Sequence, residues 1–340
     1  MQAPAPIQDR IAALSPKLQE LLAGLNQVLL GQEELTRQLV VGILAGGHIL
    51  LEGLPGLGKT ELVKGLARLC RIAGSRVQFT PDLLPSDITG SFLLQQTDDG
   101  RQFVFQQGPI FTNILLADEI NRASPKTQSA LLEGMAERSV TVMGETHRLP
   151  HPFFVVATQN PIELEGTYPL PEAQVDRFLF KIGIGRPGER VLAEIVRNRV
   201  TGAPPELAPV LEASELCETI ALAREIHVSE PVAAYIARLV EASHPDSPTA
   251  PEKVRRYVRY GCSPRAAIAL GAAARARALL SGQSQAGFDG VAALVHPVMN
   301  HRIILDYTAR IDGVSVEAVL SELVSSVDQY GKPLPAGVKS

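Results

Sequence analysis

The chain has 340 residues, of which 45% are hydrophobic and 20% are charged, and its formal net charge is -4. This length suits two ordinary domains, and the composition is that of a packed globular protein, which excludes a fibrous or largely disordered chain. The acidic balance gives no overall positive field, so nucleic acid is not expected as a partner.

Two further features bear on the cellular location. The three cysteines (Cys70, Cys217 and Cys262) lie far apart without CxxC spacing, which predicts reduced thiols and neither a disulfide framework nor a zinc site. The N-terminus lacks a basic segment followed by an apolar run, and the most apolar stretch, residues 39–51, is too short to span a bilayer. We therefore expect a soluble, cytoplasmic protein that does not bind membranes.

The first predicted elements are helical. Apolar residues recur at helical spacing through residues 7–45, and we expect two helices separated near Gly31. The short apolar run at residues 48–53 stops at a glycine, and residues 60–71 again have helical spacing. This order predicts a strand, a loop and a helix.

Three more short apolar runs follow, at residues 77–79, 114–117 and 153–157. Continuous apolar character, without alternation, is typical of strands buried on both faces of a parallel sheet. Between these runs lie two predicted hairpins, one over residues 91–106 that turns at residues 97–100, and one over residues 139–149 that turns at residues 143–145.

The pattern changes near residues 186–188, where alanine-rich and leucine-rich helical spacing begins. We therefore predict an N-terminal helical segment over residues 1–30, an α/β core with two hairpin insertions over residues 31–187, and an all-helical domain over residues 188–340.

A glycine-rich loop carries the first chemical signal. Residues 53–60 (GLPGLGKT) fit the pattern G-x-x-x-x-G-K-[ST] and lie between a predicted strand and a predicted helix. Such a loop surrounds phosphate oxygens with backbone N–H groups at a helix N-terminus. We expect Lys59 to reach the β- and γ-phosphates and Thr60 to bind Mg²⁺, with Pro55, Gly56, Leu57, Gly58 and Glu61 also at the nucleotide. The alternative is a glycine-rich turn without a ligand.

Two acids end the run at residues 114–117. Asp118 and Glu119 could mark an exposed strand end, but beside a phosphate loop they suggest a magnesium site and a base. We expect Asp118 to serve Mg²⁺ directly or through water, and Glu119 to orient and deprotonate an attacking water.

The strand that ends at Ala157 leads into Thr158, Gln159 and Asn160. Ligands bind at the carboxyl ends of parallel strands, so Asn160 is a candidate contact for the γ-phosphate or for water. It could instead cap the following turn.

A locally basic segment lies in the helical region and includes Lys253, Arg255, Arg256, Arg259 and Arg265. Three interpretations remain open: a solvated helical face, a face toward an acidic neighbour, and a nucleic-acid site. Few aromatic residues are interleaved with these charges, which weakens the last of them.

Four segments together resemble the MoxR family of AAA+ ATPases. They are FTPDLLPSDITG (79–90), DEINRA (118–123), ATQNPIELEGTYPLPEAQVDRF (157–178) and GCSPRA (261–266), and the resemblance covers roughly residues 25–310. It implies an α/β P-loop AAA+ core, with a parallel sheet flanked by helices, followed by a C-terminal all-helical lid domain. The two hairpins then correspond to the helix-two insertion and the pre-sensor hairpin.

The resemblance also implies residue roles. Asn160 corresponds to the first sensor, Arg265 to the second sensor, and Gly31 and Gln32 to the adenine side of the site. Arg177 corresponds to the arginine finger offered to the neighbouring subunit. The residues around Arg177 would, without the resemblance, favour an ion pair within the chain.

The implied function is Mg²⁺-dependent hydrolysis of ATP to ADP by a homo-oligomeric ring, expected to be hexameric. The implied task is to remodel or help mature partner proteins, including proteins with von Willebrand factor A domains and enzymes with metal cofactors. Three alternatives remain: a metal-chelatase motor subunit, a nucleic-acid motor, and a nucleotide-gated scaffold with negligible turnover.

Overall fold

The computed structural model describes residues 5–54, 56–97, 100–161, 166–198 and 206–331. Contacts divide the chain into two compact units. One unit consists of residues 16–220, and the other combines residues 1–15 with residues 221–340. The domain boundaries expected from the sequence stay a prediction.

Helices and strands alternate through the first half of the chain, and helices dominate the second. In chain order the strands are β1 (Ile49–Glu52), β2 (Gly74–Gln78), β3 (Gly90–Thr97), β4 (Gly100–Gln107), β5 (Ile114–Asp118), β6 (Ser139–Val142), β7 (Glu145–Arg148), β8 (Phe154–Gln159), β9 (Phe180–Gly183), β10 (Val258–Tyr260) and β11 (Ile304–Leu305). The helices are α1 (Ile7–Val28), α2 (Glu33–Leu44), α3 (Lys59–Leu69), α4 (Pro85–Thr89), α5 (Pro125–Glu137), α6 (Glu172–Val175), α7 (Glu189–Asn198), α8 (Ala213–Glu225), α9 (Glu230–Glu241), α10 (Glu252–Tyr257), α11 (Pro264–Leu280), α12 (Phe288–Met299), α13 (Tyr307–Ile311) and α14 (Val316–Ser326).

A five-stranded parallel sheet forms the centre of the unit of residues 16–220. Its strand order is β2-β5-β8-β1-β9. Ile114, Leu115, Leu116 and Ala117 of β5 are all buried, so this strand is apolar on both of its faces. The predicted parallel sheet is confirmed, and β9 adds an edge strand that the sequence did not predict.

The strand order determines where the candidate residues lie. Strand β8 pairs with β5 on one side and with β1 on the other, all in the same direction. The segments that leave the carboxyl ends of these three strands are therefore neighbours. They contain the glycine-rich loop, the two acids and Asn160.

Both predicted hairpins are present, as the antiparallel pairs β3–β4 and β6–β7. The turn residues Asp98 and Asp99 lie outside the described part of the chain. At the base of the first hairpin a Cβ on Gly108 would lie 2.3 Å from the carbonyl oxygen of Ile88, so the two segments approach more closely than a side chain allows. The rings of Phe105 and His147 stack at 3.9 Å, which joins the two hairpins.

The other unit is mainly helical. Its core is built around residues such as Tyr235, Leu270 and Val298, which are fully buried. A short antiparallel ribbon of β10 and β11 accompanies the helices and was not predicted. Among the described residues, no helix combines the length and the apolar character that crossing a membrane requires.

Candidate functional site

The glycine-rich loop connects β1 to α3 and is shaped by left-handed backbone. Gly56 and Gly58 both have φ of +80°, a backbone region that residues with a Cβ adopt only at a cost in free energy. Gly58 is also the N-cap of α3. The amide of Gly53 donates to the carbonyl of Gln159 at 3.2 Å, which ties the loop to β8. Pro55 lies outside the described residues. The loop thus places the N-terminus of an eleven-residue helix at the sheet edge, where an anion is stabilised.

Lys59 begins α3 and is buried. Its Nζ donates to the carbonyl oxygen of Gly53 at 2.6 Å. Burial lowers the pKa of the Lys59 ammonium from its ordinary value, and the carboxylates of Asp118 and Glu119 oppose that shift. The ammonium therefore lies inside the curve of the loop, in the field of both acids.

A cavity of about 410 Å³ lies over the loop and the strand ends. It brings together five of the predicted catalytic and metal-binding residues. The lining consists of Gly56, Leu57, Gly58, Lys59, Thr60, Glu61, Arg76, Gln78, Asp118, Glu119 and Asn160. Its charge is mixed, because Lys59 and Arg76 lie opposite Asp118 and Glu119.

The carboxylate of Asp118 is held on both oxygens. Its Oδ1 accepts a hydrogen bond from the hydroxyl of Thr158 at 2.6 Å. Its Oδ2 accepts from Nη2 and Nε of Arg76 at 2.8 and 3.2 Å. The Thr158 hydroxyl also accepts from the amide of Glu119 at 2.8 Å, so one buried side chain holds the two successive acids in place.

Glu119 has an unusual backbone, with φ of 57° and ψ of 50°. This left-handed conformation costs a residue with a Cβ about 1 kcal/mol or more, and such strain is concentrated at functional positions. The Oε2 of Glu119 accepts from Nε2 of Gln78 at 2.8 Å and from Nη1 of Arg122 at 2.9 Å. The carboxyl group is thereby aimed by groups from two other segments.

Four residues around the acids were missed by sequence reasoning: Arg76, Gln78, Arg122 and Thr158. Arg76 and Gln78 are two residues apart on β2, so both side chains lie on the same face of the strand. Strand β2 pairs with β5, which ends in Asp118. The signals available were a polar residue at the end of the apolar run in β8 and two long polar residues in β2. Neither signal identifies a partner until the strand order is known.

A second cavity, of about 340 Å³, adjoins the same loop and has a more apolar lining. It is lined by Val28, Leu29, Leu30, Gln32, Gly56, Leu57, Gly58, Glu61, Gly185, Pro187 and Ile195. The Nε2 of Gln32 donates to the carbonyl of Gly185 at 3.2 Å. Gly31 turns with φ of +69°, and a Cβ there would lie 2.4 Å from Cγ2 of Val191. Aliphatic walls of this kind suit a flat ring. The adenine-side roles expected of Gly31 and Gln32 stay predictions.

The remaining predicted residues differ in their placement. Asn160 is buried and lines the phosphate-loop cavity. Arg177 follows α6 and is exposed, and its Nη1 donates to the carbonyl of Leu132 at 2.6 Å. Arg177 is not among the described residues that line the phosphate-loop cavity. Arg265 is exposed near the start of α11 in the other compact unit. The roles of all three stay predictions.

The donors present fit a magnesium ion. The hydroxyl of Thr60 and the carboxylate of Asp118 line one cavity beside the phosphate loop. Both are hard oxygen ligands, and Mg²⁺ in phosphate sites is usually held by one or two protein oxygens together with phosphate oxygens and waters.

Comparisons with known proteins show which family the chain is similar to. The profile of the ATPase family associated with various cellular activities (AAA) matches residues 48–180, and that of the AAA lid domain matches residues 252–323. The chain is 41% identical to the protein named chaperone MoxR1 of Mycobacterium tuberculosis over 98% of its length and 90% of that protein. It is also 41% identical to the protein YeaC of Bacillus subtilis, over 92% of this chain and 95% of that protein.

A solved structure is similar throughout. The crystal structure of a Cytophaga hutchinsonii protein assigned as an ATPase superposes with a TM-score of 0.87 at 38% identity, and the match covers 94% of this chain and 97% of that one. Identity at this level over nearly the whole chain shows family membership as well as fold. The chain belongs to the MoxR family of AAA+ ATPases.

Proposed function

We propose that this protein hydrolyses ATP to ADP and phosphate at the cavity over the glycine-rich loop, in a Mg²⁺-dependent reaction. The observation that carries the proposal is that a single cavity contains the loop, Lys59, Thr60 and the pair Asp118–Glu119. A phosphate-binding loop alone would serve storage of a nucleotide. Glu119, which follows the acid expected to bind Mg²⁺, adds a base that can act on water.

Each group has a distinct task in this proposal. The loop amides and Lys59 hold the β- and γ-phosphates, and the aliphatic cavity beside the loop receives the adenine. The Glu119 carboxylate orients a water molecule and takes its proton, and Gln78 and Arg122 fix the direction of that carboxylate. Asn160 offers an amide toward the γ-phosphate or the water.

Thr60 and Asp118 would hold Mg²⁺. When bound, the ion supplies neutralisation of the charge on the β- and γ-phosphate oxygens. The Thr158 hydroxyl keeps the Asp118 carboxylate facing the cavity, because it donates to Oδ1 and leaves Oδ2 on the Arg76 side.

Substitution of Lys59 tests the nucleotide site. Lys59→Ala is expected to lose nucleotide affinity, since its ammonium meets the phosphates in the ground state. Lys64→Ala is the matched control, because Lys64 is an exposed lysine on the same helix that pairs with Glu61. Binding of a fluorescent ATP analogue measures both variants. Equal affinity of the Lys59→Ala variant and the parent, or full hydrolysis in excess EDTA, would contradict the proposal.

We also propose that the protein works as a homo-oligomeric ring, hexameric by family resemblance, in which Arg177 acts on the ATP of the neighbouring subunit. Two observations support this: Arg177 is exposed, and it is absent from the described lining of its own cavity. An arginine that reaches the γ-phosphate is worth ~10³ to 10⁵ in rate. Arg177→Ala should therefore bind ATP nearly normally and hydrolyse it poorly.

Mixing two inactive variants separates a shared site from a site within one subunit. A Glu119→Gln subunit keeps its arginine and an Arg177→Ala subunit keeps its base, so a mixed interface of the right polarity joins two intact halves. We expect activity that neither variant has alone and that rises with protein concentration. Co-assembled mixtures that stay inactive at every ratio would contradict action in trans.

The task proposed for the ATPase is to remodel or help mature partner proteins in the cytoplasm, including proteins with von Willebrand factor A domains and enzymes that receive metal cofactors. Its support is the family and a relative named as a chaperone. The basic segment favours a solvated face over a nucleic-acid site, because Lys253 pairs with Glu322 and Arg256 with Asp312. ATPase rates with and without DNA, together with identification of co-purifying proteins, distinguish these tasks.

A further inference from the structure

Strand β2 presents a cation to the acid that is expected to hold Mg²⁺. It is an edge strand of the five-stranded sheet, and its pairing with β5 places Gln78 opposite Asp118. From this strand the guanidinium of Arg76 reaches Oδ2 of Asp118 through two nitrogens, at 2.8 and 3.2 Å. With Thr158 on Oδ1, both oxygens of the carboxylate are engaged by the protein's own groups.

The pairing offsets a charge that would be costly to leave alone. The side chain of Asp118 is only 16% exposed. An unpaired carboxylate at such a position loses hydration and gains no compensating interaction. An arginine is suited to this task because its charge does not titrate and its planar fork matches a carboxylate. Arg76 therefore compensates the charge of the Asp118 carboxylate in this structure.

The same pairing would oppose a divalent cation at Asp118. A guanidinium and Mg²⁺ that both approach the Asp118 carboxylate repel each other, so the two cations would compete for this group. The side chain of Arg76 is 48% exposed, and ion pairs of this kind are weak enough to exchange.

The surroundings provide room for Arg76 to move. A neighbouring groove of about 250 Å³ is bounded by Arg76 and by Thr60, the other expected magnesium ligand. Arg76 thus lines both the phosphate-loop cavity and this groove, and its guanidinium can leave Asp118 without entering the core.

We propose that Arg76 is a positioning residue that occupies the Asp118 carboxylate in the absence of Mg²⁺ and sets the Mg²⁺ concentration at which the nucleotide site becomes metal-loaded. This inference rests on the proposed function, because it assumes that Asp118 serves Mg²⁺ at a nucleotide site. It assigns Arg76 two opposed effects: it supports binding of metal-free nucleotide, and it raises the concentration of Mg²⁺ that the site requires.

Binding of a fluorescent, non-hydrolysable ATP analogue, measured in EDTA and across a Mg²⁺ titration, tests the proposal without turnover. For Arg76→Gln we expect the half-effective Mg²⁺ concentration to fall about fivefold, which is the size of a half-exposed ion pair, and affinity in EDTA to fall by a similar factor. Arg76→Lys keeps the charge and should lie between Arg76→Gln and the parent. Association of Mg²⁺ with the free analogue is common to all variants, so differences between variants report on the protein.

Arg68→Gln is the matched control, since Arg68 is an exposed arginine that lines the groove and is not among the described residues lining the phosphate-loop cavity. It should behave as the parent does. An Arg76→Gln variant that binds the analogue but needs as much Mg²⁺ as the parent, or more, would overturn the assignment of Arg76. If Mg²⁺ changed neither the binding of the analogue nor the hydrolysis of ATP by the parent protein, the proposed function itself would fail. That outcome is distinct from a failure confined to Arg76.

Discussion

Removal of the Thr158 hydroxyl tests how the two acids are held. Thr158→Val keeps the shape of this fully buried side chain and deletes its oxygen. The oxygen makes two hydrogen bonds, a donation to the Asp118 carboxylate at 2.6 Å and an acceptance from the Glu119 amide at 2.8 Å.

The magnitude follows from those two bonds. A hydrogen bond to a charged group contributes about 1.5–3 kcal/mol, and a buried amide left without an acceptor costs about 1–3 kcal/mol. We expect the free energy of unfolding to fall by about 3 kcal/mol. Because the amide of Glu119 also fixes the strained backbone that aims its carboxylate, we expect the hydrolysis rate to fall at least tenfold, an activation cost of about 1.4 kcal/mol.

Equilibrium urea unfolding and steady-state ATPase assays measure the two effects. Thr158→Ser is the control, because it retains the hydroxyl and removes only a buried methyl group, at about 1 kcal/mol. The serine variant should keep most of the hydrolysis rate. A valine variant as stable and as active as the serine variant would refute the role given to the hydroxyl.

Two further predictions concern residues away from the cavity. Burial, and to a lesser extent the charge of Arg138, lowers the pKa of the His48 imidazole from 6.5 to about 4, although the hydrogen bond to the Met135 carbonyl opposes this shift. The contribution of neutral His48 to stability is therefore complete above pH 6.5 and is lost as the pH falls toward 4. Between pH 7 and pH 4.5, urea unfolding should show the parent losing about 2 kcal/mol more than His48→Gln, and equal losses would contradict this. Gly108→Ala would force a Cβ against the Ile88 carbonyl and should lower the free energy of unfolding by about 2 kcal/mol, whereas Gly188→Ala meets open space and should change it little. Equal effects of the two alanines would show that the hairpin base is not closely packed.

Much of the nucleotide-binding fold could be predicted because its signals are local. A short apolar run buried on both faces reads as a parallel strand without reference to its neighbours, as in β5 and β8. The glycine-rich loop carries its own context, since the strand before it and the helix after it both have clear patterns. The ends of those strands then indicate Lys59, Asp118, Glu119 and Asn160 as neighbours, and all four line one cavity.

The parts that could not be predicted depend on which strands and segments are adjacent. Strand β9 contains Lys181 between two buried residues, a pattern too short to distinguish from a loop. The partnership of Arg76 with Asp118 joins residues 42 positions apart and exists only because β2 pairs with β5. Thr158 resembles any polar residue at a strand end until β8 is placed beside β5.

Single-turnover hydrolysis by Glu119→Gln tests whether this cavity hydrolyses ATP with Glu119 as the base. The amide retains the size of the side chain and can still contact its neighbours, but it cannot take a proton from water. ATP is bound first, and the reaction is then started with Mg²⁺. We predict that the variant binds ATP about as tightly as the parent. It should form ADP at least ~10²-fold more slowly, which is the usual contribution of a general base. Formation of ADP by Glu119→Gln at the parent rate would show that Glu119 is not the base.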